Sequence, residues 1–590
     1  MISKSSSPIS PRLCFILFFS KAILYFTGMV LIVAGLFFLA NLEIHNNSMV
    51  MLIASFTVIP LLFWEFKTFH GLGAVRLAVY NIASVLIIAG LTLAMGAVYD
   101  KSWDGMAYHQ IGIVELSRGW NPFYEQLPYE AQNSKYFNRE IVLNLWINHY
   151  GKALETFSAV MMTLTGNIES GKVFNVLMLL SAFCSLFWLL TRLNLLGMGW
   201  NLLVAAAATF NPIAINQLFS YYLDGALGSL ILILMCQLIM LMRRDGREER
   251  WPTYISIFFT SVILINLKFT GLIYHAWICL VFLGLVLYLK QFKMLGHFVA
   301  AAAVSGLIAV FIAGFNPYVT NTIRAGHPFY PLAGENKVDA IVHMTPKPLK
   351  AHNTFGKFLI SNFSRCDNFG ETSDRAVAYK VPFTFTAQEL KIFQSEGIRL
   401  NALGPLWSGI FCVTLVLLVI IFIQLKGINR IYLLALVASV AGAVAINPAS
   451  WWARFIPQLW LLPVIVFVFL LFAQTKNILR FISKTAVLLL IANTALIAGV
   501  YFYSVYSSTR SANQVFETLR RSTTPVFVYF DIFTPNEKKL EANRVSFVKV
   551  GRLSELPCDS AMQILKIDYC MGGGKSPRST VHSSVVNSRQ

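Results

Sequence analysis

Four charged residues lie next to long apolar stretches, where charge is costly and is kept mainly for function. Asp104 and Asp224 are carboxylates beside apolar runs, and Lys268 and Arg454 are cations that interrupt other runs. A carboxylate can act as general base on a hydroxyl group, whereas a lysine or the planar fork of an arginine can hold a phosphate. The sequence therefore offers Asp104 and Asp224 as candidate catalytic residues, and Lys268 and Arg454 as candidate phosphate ligands.

Each of these residues also has a purely structural interpretation. Asp104 opens a helical pattern, so it could simply cap a short amphipathic helix on the outer membrane surface. Asp224 could cap the helix that follows it. Lys268 could extend its ammonium group to the lipid interface, and Arg454 could anchor among lipid headgroups beside Trp452. The residue types alone leave these alternatives open.

The position of Lys268 is nevertheless unusual. The apolar stretch before it has only about 15 residues, or about 22 Å of helix, which is too short to cross a bilayer. The break at 266–268 is therefore expected below the outer surface. Non-helical backbone at that depth is tolerated only where it is buried in protein or lines a wet cavity.

Weaker candidates accompany the four charges. Arg324 is a third candidate phosphate ligand. Two carboxylates are too few to require a metal, so a divalent cation is left open and no other cofactor is expected. The candidate residues of a substrate cavity are aromatic or imidazole side chains: Trp103, Tyr108, His109, Tyr222 and Tyr330. Of these, His109 also has a structural interpretation, because a lone histidine is more often structural than catalytic.

The composition is that of a membrane protein. Of 590 residues, 56% are hydrophobic and 13% are charged, and the mean hydropathy is +0.62. A soluble domain has about 25% charged residues, so a soluble enzyme, a disordered chain and a nucleic-acid binder with a basic surface are excluded. The 8 cysteines form no CxxC pair or Cys/His cluster with zinc spacing, and a structural metal site is not expected.

Thirteen apolar runs have the length of membrane spans, since a helix needs roughly 20 apolar residues to cross the hydrocarbon core. They lie at 13–40, 49–64, 76–99, 171–190, 200–217, 223–242, 253–267, 269–289, 295–315, 403–425, 429–446, 455–474 and 485–503. The sequence therefore predicts an all-α polytopic membrane protein with about 13 transmembrane helices.

Basic residues are concentrated in alternate short loops. The segment 243–250 holds four arginines, whereas 41–48 and 211–222 hold no Lys or Arg. The positive-inside rule then predicts a multi-pass protein of the inner (cytoplasmic) membrane, with the N-terminus in the cytoplasm and the C-terminus outside. The outside face would carry the three longest segments: loop 100–170, loop 316–402 and tail 504–590.

These segments divide the chain into three parts. We expect an N-terminal transmembrane hairpin at 1–75, a body at 76–503 and the tail at 504–590. The tail contains TPVFVYFD and RVSFVKV, which predict a small α/β or β-rich appendage before a disordered end. Cys558 and Cys570 are close in sequence and would lie in an oxidising space, so a disulfide between them is expected, with two free thiols as the alternative.

Five motifs together resemble a known family. They are YDKSWDGMAYHQIGIVELSRGWNPFY (99–124), NPIAINQLFSYYLDG (211–225), LKFTGL (267–272), NPYVTNTIRAGHPFYPLAG (316–334) and NPASWWARFIPQLWLLP (447–463). Their order and common outside location resemble bacterial GT-C glycosyltransferases, polytopic enzymes that use polyprenyl- or dolichyl-phosphate sugars. The resemblance spans roughly 76–475. Two features depart from the family: three spans rather than one precede the acidic loop, and Asp104 is followed by Gly105 instead of a second acid.

The resemblance implies a GT-C-like fold in a lipid bilayer and a glycosyltransferase activity. The donor would be a polyprenyl-phosphate sugar, and the acceptor an envelope glycan, lipid or protein outside the cytoplasm. Asp104 would deprotonate the acceptor hydroxyl while Lys268 or Arg454 stabilises the leaving phosphate, and a single displacement would invert the anomeric centre. No nucleotide-binding motif is needed, and no nucleic-acid partner is expected.

Two other functions remain as alternatives. A lipid-linked saccharide polymerase or ligase would also be polytopic with large outside loops, and it would grip pyrophosphate with arginines such as Arg324, Arg365, Arg375 and Arg399. A flippase or transporter would show charged residues deep within several spans and internal repeats, and the sequence shows neither clearly.

Overall fold

A helical body carries a small sheet near its C-terminal end. The computed structural model describes residues 11–43, 48–128, 144–194, 196–242, 250–338, 344–368, 376–472, 477–558 and 560–572. In the N-terminal half its helices are α1 (Pro11–Leu39), α2 (Ser48–His70), α3 (Ala74–Gly96), α4 (Gln110–Ser117), α5 (Ala153–Thr165), α6 (Val173–Leu193), α7 (Met198–Thr209), α8 (Pro212–Asn216), α9 (Asp224–Leu241) and α10 (Arg250–Leu267).

The helices continue in the second half, with short ones in the segment 316–402. They are α11 (Phe269–Tyr288), α12 (Phe292–Ile308), α13 (Thr320–Ala325), α14 (Lys347–Lys350), α15 (Thr354–Phe363), α16 (Ala387–Ile392), α17 (Trp407–Gln424), α18 (Ile428–Ile446), α19 (Leu461–Phe472), α20 (Asn477–Arg520) and α21 (Asn536–Ala542).

Ten of the described helices are long and apolar enough to cross a membrane: α1, α2, α3, α6, α9, α11, α12, α17, α18 and α20. The chain is a multi-pass membrane protein. Each of the ten coincides with a predicted span, so the all-α polytopic fold is confirmed.

The count of thirteen is not confirmed. The remaining predicted spans, 200–217, 253–267 and 455–474, fall on α7, α10 and α19, which do not meet both criteria of length and apolarity. The first of them is broken because Asn211 begins a new helix after α7 has ended. Its side chain accepts a hydrogen bond from Ala214 N at 2.9 Å, next to a proline in the first turn.

The first helix belongs to the body. It packs against α2, α6 and α10, and 67% of its apolar window is buried, compared with 33% for α2 and 22% for α3. A buried ion pair between Lys21 and Glu65 joins α1 to α2, and the Tyr25 hydroxyl donates to the same carboxylate at 2.8 Å. The packing thus differs from the expected division at residue 75: α2 and α3 are the peripheral pair, and α1 is central.

The helix that follows Asp104 was expected on the outer membrane surface, and this expectation is wrong. A π-helical turn, Gly105–His109, runs directly into α4. Ile113 and Leu116 of α4 are completely buried in the main core, and Met106 of the turn packs in the core of the C-terminal appendage. The amphipathic pattern arises because α4 lies between two protein layers rather than between protein and lipid.

The C-terminal sheet confirms the predicted small appendage. Its strands are β1 (Val526–Tyr529), β2 (Val548–Lys549), β3 (Met562–Ile564) and β4 (Ile567–Met571), in the order β2-β1-β4-β3. Strand β1 pairs parallel with β2 through the crossover helix α21, and antiparallel with β4. The structure joins Cys558 to Cys570 of β4 in a disulfide. The expected disordered end, from residue 573, lies outside the described residues.

The three segments predicted to share one face meet at one end of the helix bundle. Lys101 connects all three, because its ammonium group donates to Gln394 O at 2.5 Å and to Ser504 Oγ at 2.6 Å. The appendage adds an edge contact of the Phe533 ring with Trp103 at 5.1 Å.

A buried ion pair also holds the appendage to the body. Lys539 Nζ lies 3.0 Å from Glu169 Oε1, and both side chains are 1% exposed. Breaking a buried pair by removing one partner is costly, because the other charge stays buried without compensation. The pair is therefore expected to contribute strongly to docking of the appendage.

We expect Lys539→Met to lower the free energy of unfolding by about 3 to 5 kcal/mol, because it leaves Glu169 buried with one cation fewer. Denaturation of the purified protein in detergent measures the change. Lys538→Met is the matched control, since Lys538 pairs with Glu541 at the surface and is 29% exposed. The control should change stability by less than about 1 kcal/mol. Equal effects of the two substitutions would contradict the assigned role of Lys539.

Candidate active site

The four charged residues selected from the sequence lie together at the end of the bundle that carries the appendage. Lys268 Nζ is 2.7 Å from Asp224 Oδ1, and Arg454 Nη1 is 3.0 Å from Asp104 Oδ2. Arg454 Nε also lies 3.9 Å from Asp224 Oδ2, which joins the two pairs. Two carboxylates and two cations from four separate chain segments thus form one nearly neutral cluster.

Lys268 lies at a break between two helices, as its short preceding run predicts. Helix α10 ends at Leu267 and α11 begins at Phe269, while Lys268 itself is extended with φ −162° and ψ 150°. Asn266, in the last turn of α10, is buried, and its side chain donates to Ala309 O at 2.9 Å, which ties this end of α10 to the segment that follows α12. The break directs the lysine side chain into protein, where it meets Asp224, and not towards the lipid interface.

Asp224 is held by the segment before it. Gln217 Nε2 donates to Asp224 Oδ2 at 3.3 Å, and Gln217 Oε1 accepts from Gly225 N at 2.9 Å. The side chain of Asp224 is only 3% exposed. Its charge is therefore compensated by Lys268 and Arg454 and fixed in orientation by an amide that the sequence gave no reason to select.

Arg454 lies among aromatic rings. Its guanidinium carbon is 4.3 Å from the ring centre of Trp452, 4.9 Å from that of Phe455 and 5.0 Å from that of Tyr222. Cation–π contacts of this kind hold a guanidinium without consuming its hydrogen-bond donors. Burial opposes the charge, but Asp104, Tyr222 and Asp224 outweigh it and raise the pKa of Arg454, so the cation is permanent.

Asp104 is the more accessible of the two carboxylates. Its side chain is 18% exposed, compared with 3% for Asp224. It stands at the N-cap position of the π turn but makes no side-chain capping bond. Burial and the Asp104 carboxylate raise the pKa of Tyr222 well above its ordinary value, so its hydroxyl stays protonated and donates to Asp104. Asp104 is therefore held by its ion pair with Arg454 rather than by a capping hydrogen bond.

Asp100 explains why glycine follows Asp104. A Cβ atom at Gly105 would lie 2.0 Å from Asp100 Oδ2, so no side chain fits there. The Asp100 carboxylate accepts from Ser102 N at 2.8 Å and from Tyr221 N at 3.2 Å. It thereby links the segment that carries Asp104 to the segment that carries Asp224. Sequence reasoning missed this residue, although it stands four positions before Asp104 in the same motif.

A buried charge network supports Asp100 from below. Its main-chain N–H donates to Glu169 Oε2 at 3.0 Å, and Lys172 Nζ lies 2.6 Å from the same oxygen. With Lys539, the network contains two carboxylates and two ammonium groups, all nearly inaccessible. Burial, and then Glu169, raise the pKa of Asp100, and the two lysines oppose that shift. The appendage therefore supplies one of the charges on which the Asp104 segment depends.

Two predicted cavity residues border the cluster. Tyr222 has been placed above, and the pKa of Tyr108 is raised by burial and then by Asp104, with Arg454 opposing. Tyr150 is a third tyrosine here that sequence reasoning missed. Its pKa is raised by burial and then by Asp224, and its ring contacts Phe269 at 4.8 Å. Three buried tyrosines whose hydroxyl groups stay protonated therefore feel the charges of the cluster.

Three other candidates make their described contacts elsewhere. The guanidinium of Arg324 donates to Phe123 O at 3.0 Å, and the ring of Tyr330 packs on His149 at 4.9 Å. His109 is buried and its Nδ1 lies 2.7 Å from Glu155 Oε1, which fits the structural interpretation of a lone histidine.

Trp103 faces the appendage through Phe533 and Lys566. The structure therefore brings Asp104, Asp224, Lys268, Arg454 and Tyr222 together, whereas the contacts described for Arg324, Tyr330, His109 and Trp103 are with other residues.

The cluster does not fit a divalent cation. Asp104 and Asp224 each face a protonated arginine or lysine, which occupies the position that a metal would take. Among the described residues, no group of three or more His, Cys, Asp or Glu side chains is arranged to hold a metal ion.

The arginines that a polymerase would use are not gathered in the described part of the chain. Arg324 contacts Phe123, and Arg399 packs over the Trp452 ring at 5.6 Å. Arg365 donates its main-chain N–H to Ala378 O at 2.8 Å and is exposed. Arg375 lies outside the described residues. Arg399 shares the Trp452 ring with Arg454, so one of these four arginines lies beside the charged cluster.

An apolar cavity of about 210 Å³ lies within the bundle below the cluster. Along α9 its lining begins at Leu232, eight residues or about 12 Å beyond Asp224. Helices α6, α7, α11, α18 and α19 complete the wall, which is almost entirely hydrocarbon. The cavity therefore suits an apolar chain rather than a sugar.

Comparisons with known proteins were made for the whole chain. No family model matches it, and no curated protein matches it. Among solved structures it is similar to ArnT from Cupriavidus metallidurans bound to undecaprenyl phosphate, with 11% sequence identity and a TM-score of 0.38. The similarity covers 84% of this chain and 98% of that chain. A likeness at this TM-score carries no argument about a residue or a ligand.

Glu396 is a further buried acid near this end of the bundle. It is 7% exposed, and its Oε1 atom has no hydrogen-bond partner among the residues that the structure describes. Burial raises its pKa to about 7, while the charge of Lys101 opposes the shift. An acid whose pKa is raised on folding stabilises the fold below its unfolded pKa, and this stability is lost as the pH rises through the folded pKa.

We expect Glu396→Gln to stabilise the protein at pH 8 by up to about 3 kcal/mol and to have little effect near pH 4.5, because only the ionised carboxylate is penalised. Denaturation of the variant and the wild type at several pH values measures the difference. Glu541→Gln is the control, since Glu541 is 33% exposed and should show no such pH dependence. A difference that does not grow between pH 4.5 and pH 8 would refute the assignment.

Proposed function

We propose that this protein is an integral membrane glycosyltransferase. It transfers a sugar from a polyprenyl-phosphate donor to a hydroxyl group of an acceptor on the side of the membrane that carries the appendage. The observation that supports it is the cluster of Asp104, Asp224, Lys268 and Arg454, in which a partly accessible carboxylate lies beside two cations that suit a phosphate. Transfer proceeds by a single displacement with inversion.

Lys268 and Arg454 are the proposed phosphate ligands. Both are paired with carboxylates, so each side chain is oriented before the donor arrives. The aromatic rings around Arg454 leave several of its N–H groups available for phosphate oxygens. The apolar cavity below them is suited to the polyprenyl chain. Both ends of the lipid donor thus have a place near the cluster.

Asp104 is the proposed general base. The acceptor oxygen attacks the anomeric carbon, the bond from that carbon to the phosphate oxygen breaks, and the hydroxyl proton moves to Asp104. The carboxylate loses one negative charge as the leaving phosphate gains one, so the net charge of the site is unchanged. Neutral Asp104 also releases Arg454 from its ion pair, which makes this cation available where negative charge develops.

The orientation is part of the proposal. We place the N-terminus in the cytoplasm and the appendage outside the inner membrane, so that the acceptor is an envelope glycan, lipid or protein. A lipid-linked donor supplies the sugar on this side, where no sugar nucleotide is needed. The unequal distribution of basic residues supports this orientation.

We expect Asp104→Asn to reduce turnover by about 10² to 10⁴, because the amide keeps the shape but cannot accept the proton. The measurement is transfer of a radiolabelled sugar from a polyprenyl-phosphate donor in liposomes. Glu115→Gln is the control, because Glu115 lies on α4 but is 30% exposed and pairs with Arg118. Lys268→Met should chiefly raise the KM for the donor. Near-wild-type turnover of Asp104→Asn would reject Asp104 as the base and make Asp224 the next candidate.

Reporter fusions test the orientation. A fusion after Arg250 should report the cytoplasm and a fusion after Gln590 should report the outside, because the basic loops are held inside. If both fusions report the cytoplasm, the number of spans between Arg250 and Gln590 is even. If the fusion after Arg250 reports the outside and the fusion after Gln590 reports the cytoplasm, the catalytic end faces the cytoplasm.

A further inference from the structure

The segment 376–388 exposes large apolar side chains, although it belongs to a loop outside the predicted spans. The exposed fractions are 67% for Tyr379, 69% for Val381, 42% for Phe383 and 43% for Phe385. Contiguous exposed apolar side chains of this kind mark a surface that another molecule or a membrane covers. We call this segment the apolar strip.

The ion pair of Lys380 with Glu389, within and beside the apolar strip, is turned inwards. Lys380 is the only charged residue between 376 and 388, and it forms an ion pair with Glu389 while only 1% of its side chain is exposed. Glu389 is fixed in turn by a capping box with Thr386 and by the N–H of Cys366 at 3.1 Å. A solvent-exposed loop usually has the opposite arrangement, with charged side chains at the surface and apolar side chains buried.

The apolar strip touches a membrane-spanning helix. The Phe383 ring lies directly on Gly409, the third residue of α17, where an added Cβ atom would be 2.6 Å from the ring. The same ring lines an apolar cleft of about 130 Å³ with residues of α17 and α20, among them Ile410, Val413 and Leu489. The strip is therefore continuous with the surface that these spans present to lipid.

The depth of this contact can be read along α20. Asn493 accepts from Leu406 N at 2.8 Å and donates to Leu403 O at 2.9 Å, which fixes the start of α17 at the level of Asn493. The apolar run of α20 continues to Tyr503, ten residues or about 15 Å further. Phe383 contacts α17 beyond Leu406, so it lies below the level at which that run ends.

We propose that the apolar strip is a membrane anchor, with Val381, Phe383 and Phe385 seated among the lipid acyl chains. Arg365 and Tyr379 both lie at one end of the strip, where Ser364 pairs with Tyr379 and Arg365 donates its main-chain N–H to Ala378 O at 2.8 Å. These are residue types that anchor at a membrane interface. The loop is thus partly immersed in the membrane.

Spin labels on single introduced cysteines test the anchor in liposomes. Labels at Val381→Cys and Phe385→Cys should be several-fold more accessible to oxygen than to an aqueous nickel chelate. Leu553→Cys is the matched control, since Leu553 is 45% exposed but lies on the appendage, and its label should show the reverse preference. Signal from the native cysteines is subtracted with the labelled wild-type chain.

Two results would overturn the proposal. Labels at 381 and 385 that are as accessible to the nickel chelate as the label at 553 would place the strip in water. Labels shielded from both reagents would mean that a second copy or another protein covers the strip. The two positions are labelled separately, so that a local distortion at one of them does not decide the result. Neither reading depends on the proposed catalytic activity.

Discussion

The structure is governed by the cost of burying charge at the end of a membrane-embedded bundle. Asp104, Asp224, Lys268 and Arg454 come from four distant segments, and none of them can be buried alone at an acceptable free energy. Their mutual pairing compensates the cost and fixes the segments relative to one another. The same pairing keeps two cations ready for a phosphate and one carboxylate partly open to an acceptor.

A second buried network, around Asp100, supports the segment that contains Asp104. Asp100 contacts the main chain of Tyr221 and prevents any side chain at position 105, while Lys172 and Lys539 both pair with Glu169 beside it. Because Lys539 comes from the appendage, the appendage is part of the support of the Asp104 segment. This arrangement gives a physical reason for the glycine at position 105.

Much of the fold could be predicted, because apolar runs of about 20 residues have few alternatives to membrane-spanning helices. The break at Lys268 and the choice of the four charges followed from local sequence and depth. The central position of α1, the burial of α4 and the roles of Asp100, Gln217 and Tyr150 could not be predicted. They depend on which faces of distant helices meet, and periodicity within one segment does not contain that information. Arg324 and Tyr330 were selected by residue type alone, and their contacts lie elsewhere.

The central claim is that the charged cluster receives the phosphate of a lipid. Thermal unfolding of the purified protein with polyprenyl phosphate, and with the polyprenol of the same length, tests it most directly, because the two ligands differ only in the phosphate. The account predicts that the phosphate raises the unfolding temperature of the wild type well above the effect of the alcohol, and that Lys268→Met removes this difference. Equal shifts with both lipids in the wild type would contradict it.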